Sequence, residues 1–193
     1  MESIGNEPKG IGGWLLLPLL SLCISPILIL VSLTDEYIPI FTEGIWELLT
    51  TPGSEAYHPN WAPVLIYEMV GNLLLGLAAI VLLVFMLNKH HLFPKLYIAF
   101  LAGNLLFVIS DHLLARSIPM VAEMADPDGF REIARAVGGA VIWIPYMLKS
   151  ERVANTFARP RPRFVYEAYS EQAPQPVQPT IPTPTEGQFP PTT

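Results

Sequence analysis

The sequence predicts an all-α, polytopic membrane protein, a bundle of four transmembrane helices followed by a disordered Pro-rich C-terminal tail. Three observations predict it. Hydrophobic residues make up 51% of the 193 residues and charged residues only 15%, against roughly a quarter charged in soluble domains. The mean hydropathy is positive, at +0.41. The apolar residues gather in four blocks, each approaching the ~20 residues that cover ~30 Å of hydrocarbon. The net charge of −6 hides an uneven distribution of charge, and no nucleic acid is expected as a partner.

Residues 1–10 form a short N-terminal segment, and the first span covers 11–33. A cleaved signal peptide would have a basic start and an apolar core of about 7–15 residues. Here Glu2 and Glu7 stand against a single Lys9, and Ile11 to Leu33 runs without a charge. A retained helix is therefore expected, with Cys23 as a small packing residue inside it. The second span covers 61–87, the third 96–116 and the fourth 133–148. The helix of the fourth is expected to begin earlier, with Asp126 as cap and Pro127 at the first helical position. The four-helix domain is 11–158 and the tail 159–193.

Direction follows from the basic residues. Lys9, Lys89, Lys95, Lys149, Arg152, Arg159, Arg161 and Arg163 fall on one side of the threading. Only Arg116, Arg131 and Arg135 fall on the other. Eight against three places both termini in the cytoplasm of a bacterial inner membrane. Trp14, Tyr97 and Tyr146 mark the cytoplasmic interface, and Tyr37, Tyr57 and Trp61 the outer one. Ile38–Leu49, in the first outer loop, is either a short helix on the leaflet or a packed loop. The tail from Phe164 carries seven prolines in thirty residues and cannot bury a core.

The second span, apolar as it is, contains Glu68 and, one turn later, Asn72. The third span runs the opposite way and carries Asn104 and Asp111. Both acids fall roughly 8–10 Å below the outer boundary at 1.5 Å per residue, so two polar stripes can face each other. His112 sits beside Asp111, and Arg135 of the fourth span can reach the same level. An ionised acid at the bilayer centre costs about 2.5–3.5 kcal/mol and less toward the interface. Two acids at one depth therefore point to a cluster. It is either a polar staple fixing helix register or a proton or cation path. Gly71, Gly76 and Gly103 allow close helix approach there, and Gly138-Gly139 fit the same role in the fourth span. Pro18 and Pro145 each remove a helix hydrogen bond and predict kinks.

No HExxH, CxxC, GxSxG, P-loop or Rossmann glycine pattern occurs. No enzyme, no metal and no cofactor is expected. The lipid bilayer is the expected partner, with a homo-oligomer or a membrane-protein partner beside it.

KGIGGWLLLPLL (Lys9–Leu20), PGSEAYHPNWAP before the second span and VIWIPYMLKSERVANTF (Val141–Phe157) resemble the YdgK-like inner-membrane proteins. That family is a four-span domain of unknown function, and the resemblance covers Pro8 to Ala158. It marks Gly12, Gly13, Trp14, Trp143, Pro145, Tyr146 and Arg152 as motif residues, and Glu151 and Ala154 depart from the basic residues expected there. It implies the same threading and no activity. The expectation is a non-enzymatic structural or accessory component of an envelope complex. The alternative is a small transporter or proton- or cation-coupled carrier using Glu68 and Asp111.

Overall fold

The structure, a computed structural model, describes residues 9–124 and 127–158. The Pro-rich tail and Asp126 lie outside the described residues. Those described are helical or in turns, with no strand among them. A 3-10 turn at Gly13–Leu15 leads into α1 (Leu16–Ser32), a π-helical segment (Leu33–Tyr37) and α2 (Ile38–Thr42). Then come α3 (Ile45–Thr50), α4 (Trp61–Leu87), α5 (Phe93–Ala115), α6 (Pro119–Ala122), α7 (Pro127–Lys149) and α8 (Glu151–Thr156).

Three stretches are long and apolar enough to cross a membrane: Gly13–Thr42, Trp61–Leu87 and Phe93–Ala115. The 27 residues of α4 rise about 40 Å at 1.5 Å per residue. Their outward residues, such as Leu73, Leu74, Leu77 and Val81, are exposed and apolar. The expected fourth span is not shown. Residues 133–148 lie in α7, whose 23 residues are long enough, but the helix is amphipathic. Arg131, Glu132 and Arg135 interrupt its first half, and its apolar run is confined to the second.

The long helices pack as sequence neighbours, α1 on α4, α4 on α5 and α5 on α7. The short turn after α4 makes α4 and α5 antiparallel. It closes with Lys89 in the left-handed region, φ +50°. The amide of Lys89 donates to the Met86 carbonyl at 3.0 Å and that of His90 to the Phe85 carbonyl at 2.9 Å. This is a Schellman motif, which satisfies carbonyls the ending helix leaves bare.

The core sits at this turn end of the bundle. It joins Leu15 and Leu22 of the first helical stretch to Leu82 and Met86 of α4, Phe93 and Tyr97 of α5, Met147 of α7, and Val153 and Phe157. The Phe93 ring lies 4.8 Å from that of Phe157 and 5.5 Å from that of Tyr97. α8 is held into this core, its first turn capped by the Ser150 hydroxyl, which accepts from the Val153 amide at 3.4 Å.

Several expectations need correction. The first helical stretch does not stop at Leu33 but runs to Thr42. Its inward residues Leu15, Leu22 and Ile29 recur every seven positions, which would bring Glu36 inward next. The π segment adds a residue to one turn, and Tyr37 takes that place, 5% exposed, while Glu36 stays outside. Pro18 falls in the first turn of α1, and Pro26 is the proline inside that helix. Cys23 is exposed and lies outside the core cluster. Gly71 and Gly76 do mark close helix approach. A Cβ on Gly71 would enter the ring of Phe107, and one on Gly76 would meet Ile29 at 3.5 Å. Gly103, Gly138 and Gly139 face open space instead.

Candidate functional site

The motif residues meet at the turn end. Gly13 adopts φ +56°, a conformation that costs any side chain, and the Arg152 guanidinium lies across it. A Cβ on Gly13 would stand 3.6 Å from the guanidinium carbon, and one on Gly12 would stand 3.2 Å from Nη1. The Gly10 amide donates to the Thr156 hydroxyl at 2.9 Å, and that hydroxyl donates back to the Gly10 carbonyl at 3.3 Å. Trp143 and Tyr146 pack edge to face at 5.7 Å beside the core. Pro145 interrupts the α7 hydrogen-bond ladder there. Trp14 points outward, 67% exposed. The motif thus builds a clasp between the entry to the first helix and α8. It presents no nucleophile and no paired acids.

At the other end, Glu68 of α4 and Asp111 and His112 of α5 open onto one cleft of about 490 Å³, whose third wall is α7 with Glu132 and Arg135. Four of the six expected cluster residues are therefore brought together: Glu68, Asp111, His112 and Arg135. Asn72 and Asn104 are half-buried and do not line it. The acids are half-buried, whereas Glu132 and Arg135 are exposed. Among the described residues no ion pair ties Arg135 to Glu68, Asp111 or Glu132. These charges line an open cleft.

The α4–α5 contact that positions the two acids has named parts. Phe107 fills the space over Gly71, and its ring lies 5.3 Å from that of Tyr67. The Tyr67 and Ser110 hydroxyls are hydrogen-bonded at 2.6 Å, flanking Glu68 and Asp111 in sequence. Asn60 Nδ2 donates to the Ser117 hydroxyl at 2.8 Å at the helix ends. These contacts fix the two helices one against the other.

Three participants escape the sequence reading. Tyr37 is buried against Glu68, its hydroxyl facing that carboxylate without a hydrogen bond of good geometry. Glu36 interacts with both Glu68 and Glu132. Glu132 stands one turn before Arg135. The signal for the last is the i, i+3 spacing of Glu132 and Arg135. The apolar Ile38, Ile40 and Phe41 after Asp35-Glu36 hint that the first helix goes on.

A smaller cavity of about 160 Å³ adjoins the cleft. It shares His112 and Ala115 with it and is otherwise lined by Arg116, Val121, Met124, Phe130 and Ile133. Among the described residues no group of three His, Cys, Asp or Glu side chains converges to hold a metal ion. His58 turns back on its own loop, where its Nδ1 accepts from the Asn60 amide at 3.2 Å.

The model of the family described as protein of unknown function (DUF2569) matches residues 8–158, and the chain belongs to that family. The match takes in every element described above. The comparisons with curated proteins and with solved structures return no match. The apolar helices are those of a membrane protein.

Proposed function

We propose that this chain is a multi-pass, non-enzymatic protein of the bacterial inner membrane, threaded four times with both termini in the cytoplasm. Its cleft would be the outward-facing vestibule of a small proton- or cation-coupled carrier. One observation carries this reading. Glu68, Asp111, Glu132 and Arg135, from three helices, line one open cleft. Acids kept within a membrane segment and open to a cleft are suited to loading and releasing a cation or proton. The core of Leu22, Leu82, Phe93 and Phe157 closes the opposite end, so delivery across the membrane would need that end to open.

α7 serves as the fourth span in this reading. Its charges Glu132 and Arg135 line the cleft, while Val137, Val141, Ile142 and Leu148 are exposed. An amphipathic helix can span when its polar side faces a wet cleft rather than lipid. The distribution of Lys and Arg supports the direction. The narrower kinship with the YdgK-like proteins belongs with this threading. The competing role, accessory subunit of an envelope complex, is favoured by α1. That helix packs mainly on α4 and leaves Leu20, Ile24, Ile27 and Leu28 uncovered. A stably co-purifying membrane partner would support it.

The test is proton flux through the full chain in proteoliposomes loaded with a pH-sensitive dye. The wild type is expected to dissipate an imposed proton gradient, and Glu68→Gln to lose this without a change in melting temperature. Proton-tight wild-type vesicles would contradict the proton-coupled form. Unchanged flux in Glu68→Gln together with a lower melting temperature would assign the acid to structure.

A further inference from the structure

We infer that the cleft takes a small organic ammonium ion with an apolar substituent, its charged head held at Glu68 and Asp111 and its apolar arm in the adjoining cavity beside Phe130 and Ile133. The inference rests on the carrier reading above in one respect, that the cleft is open to water.

Charge comes first. Three carboxylates line the cleft, those of Glu68, Asp111 and Glu132, with the Arg135 guanidinium and the His112 ring beside them, while Arg116 lines the adjoining cavity. Glu36, outside the wall on the π segment, adds to the same negative field through Glu68 and Glu132. An anion would meet this field unfavourably, whereas a cation is drawn in.

The protein's own polar atoms point the same way. Tyr37 is 5% exposed, and its buried hydroxyl has no hydrogen-bond partner among the described residues although it lies against Glu68. Asp111 Oδ1 is likewise buried and unpartnered. Buried polar groups are almost always hydrogen-bonded, so the unpartnered Asp111 Oδ1 beside the cleft calls for a guest, whereas the Tyr37 hydroxyl already faces Glu68. An ammonium head carries several donors. It can donate to Asp111 Oδ1 and to the Glu68 carboxylate, leaving the Tyr37 hydroxyl free to turn its own hydrogen to Glu68.

Size and lining separate an organic cation from a bare ion. Metal ions need oxygen or nitrogen ligands converging at about 2.0–2.6 Å, and no such group of three exists among the described residues. The cleft of about 490 Å³ falls in the range that holds small organic ligands. Beside His112 and Arg116, the adjoining cavity of about 160 Å³ supplies Val121, Met124, Phe130 and Ile133. These side chains suit a short alkyl or aryl arm and would have no use in binding a hydrated inorganic ion.

The test is isothermal titration calorimetry of the full chain in lipid nanodiscs. Five probes are compared: n-butylammonium, ammonium, n-butyrate, sodium and magnesium. The expected order is n-butylammonium at least tenfold tighter than ammonium, with no heat from n-butyrate. The double variant Glu68→Gln/Asp111→Asn should weaken n-butylammonium at least tenfold, and Phe130→Ala should weaken n-butylammonium but not ammonium. Tighter binding of magnesium, sodium or n-butyrate would overturn the inference, as would undiminished n-butylammonium binding by the double variant. If the double variant does not remain monodisperse, the wild-type order of the five probes decides. A cleft that a polar thiol reagent reaches but n-butylammonium does not occupy defeats this inference and leaves the carrier reading standing. A cleft closed to that reagent defeats both.

Discussion

The guanidinium of Arg152 lies across Gly13, within 3.6 Å of where a Cβ would stand. Two residues 139 positions apart in the chain thereby join the entry of the first helix to α8. The contact differs in kind from its neighbour at Gly12, and the difference is measurable. Gly13 is in the left-handed region at φ +56°, while Gly12 is extended at φ −170°. Gly13→Ala is therefore expected to lower stability by about 1 kcal/mol or more. Gly12→Ala should stay within about 0.5 kcal/mol, since only the far end of a flexible side chain must move aside. Thermal unfolding of the two variants in the same detergent checks the contrast.

Gly71 and Gly103 give a second contrast. A side chain on Gly71 would displace the ring of Phe107, whereas one on Gly103 meets open space. Gly71→Ala should cost about 1–3 kcal/mol through overpacking and be partly rescued by Phe107→Leu. Gly103→Ala should be neutral or stabilising by up to about 1 kcal/mol, because alanine is the better helix former. A double-mutant cycle measures both.

Lys89 occupies the left-handed position that ends α4, a place glycine fills without strain. Lys89→Gly should raise stability by about 1 kcal/mol. A drop in melting temperature would mean that the lysine side chain contributes more than its backbone strain removes.

Tyr37→Phe removes a buried hydroxyl that has no partner among the described residues. The variant should melt within about 1 kcal/mol of the wild type, or above it, because the hydroxyl makes no hydrogen bond of good geometry. A loss of more than about 1.5 kcal/mol would show that the hydroxyl is fully bonded to Glu68.

Much of the scaffold was legible because α4 and α5 are bounded by strong local signals. The 61–87 span coincides with α4, since Trp61 opens it and the short turn at Lys89 ends it. The meeting of Glu68 with Asp111 followed from helix rise and antiparallel direction alone. The first span was cut short because Asp35 and Glu36 read as its end. Only the extra residue of the π segment carries them past the core and sets Tyr37 inside, and no sequence period announces it. α7 read as a plain span because Val137–Leu148 is apolar, yet Glu132 and Arg135 give it a polar side that completes the cleft. Gly103, Gly138 and Gly139 were expected in helix contacts, but a glycine does not reveal which way its face points. The Arg152 clasp depends on contacts across nearly the whole chain, which local pattern cannot supply.

The central claim is that Glu68 and Asp111 stand in an open cleft. The most direct measurement is labelling of Glu68→Cys and Asp111→Cys, each in a Cys23→Ala background, by a membrane-impermeant thiol reagent in sealed vesicles of known orientation. Each variant is first checked for an unchanged unfolding transition. Labelling of both positions from the cleft side is the predicted result. Protection of both from either side, in folded protein, would contradict it and return the two acids to the role of a sealed staple between helices.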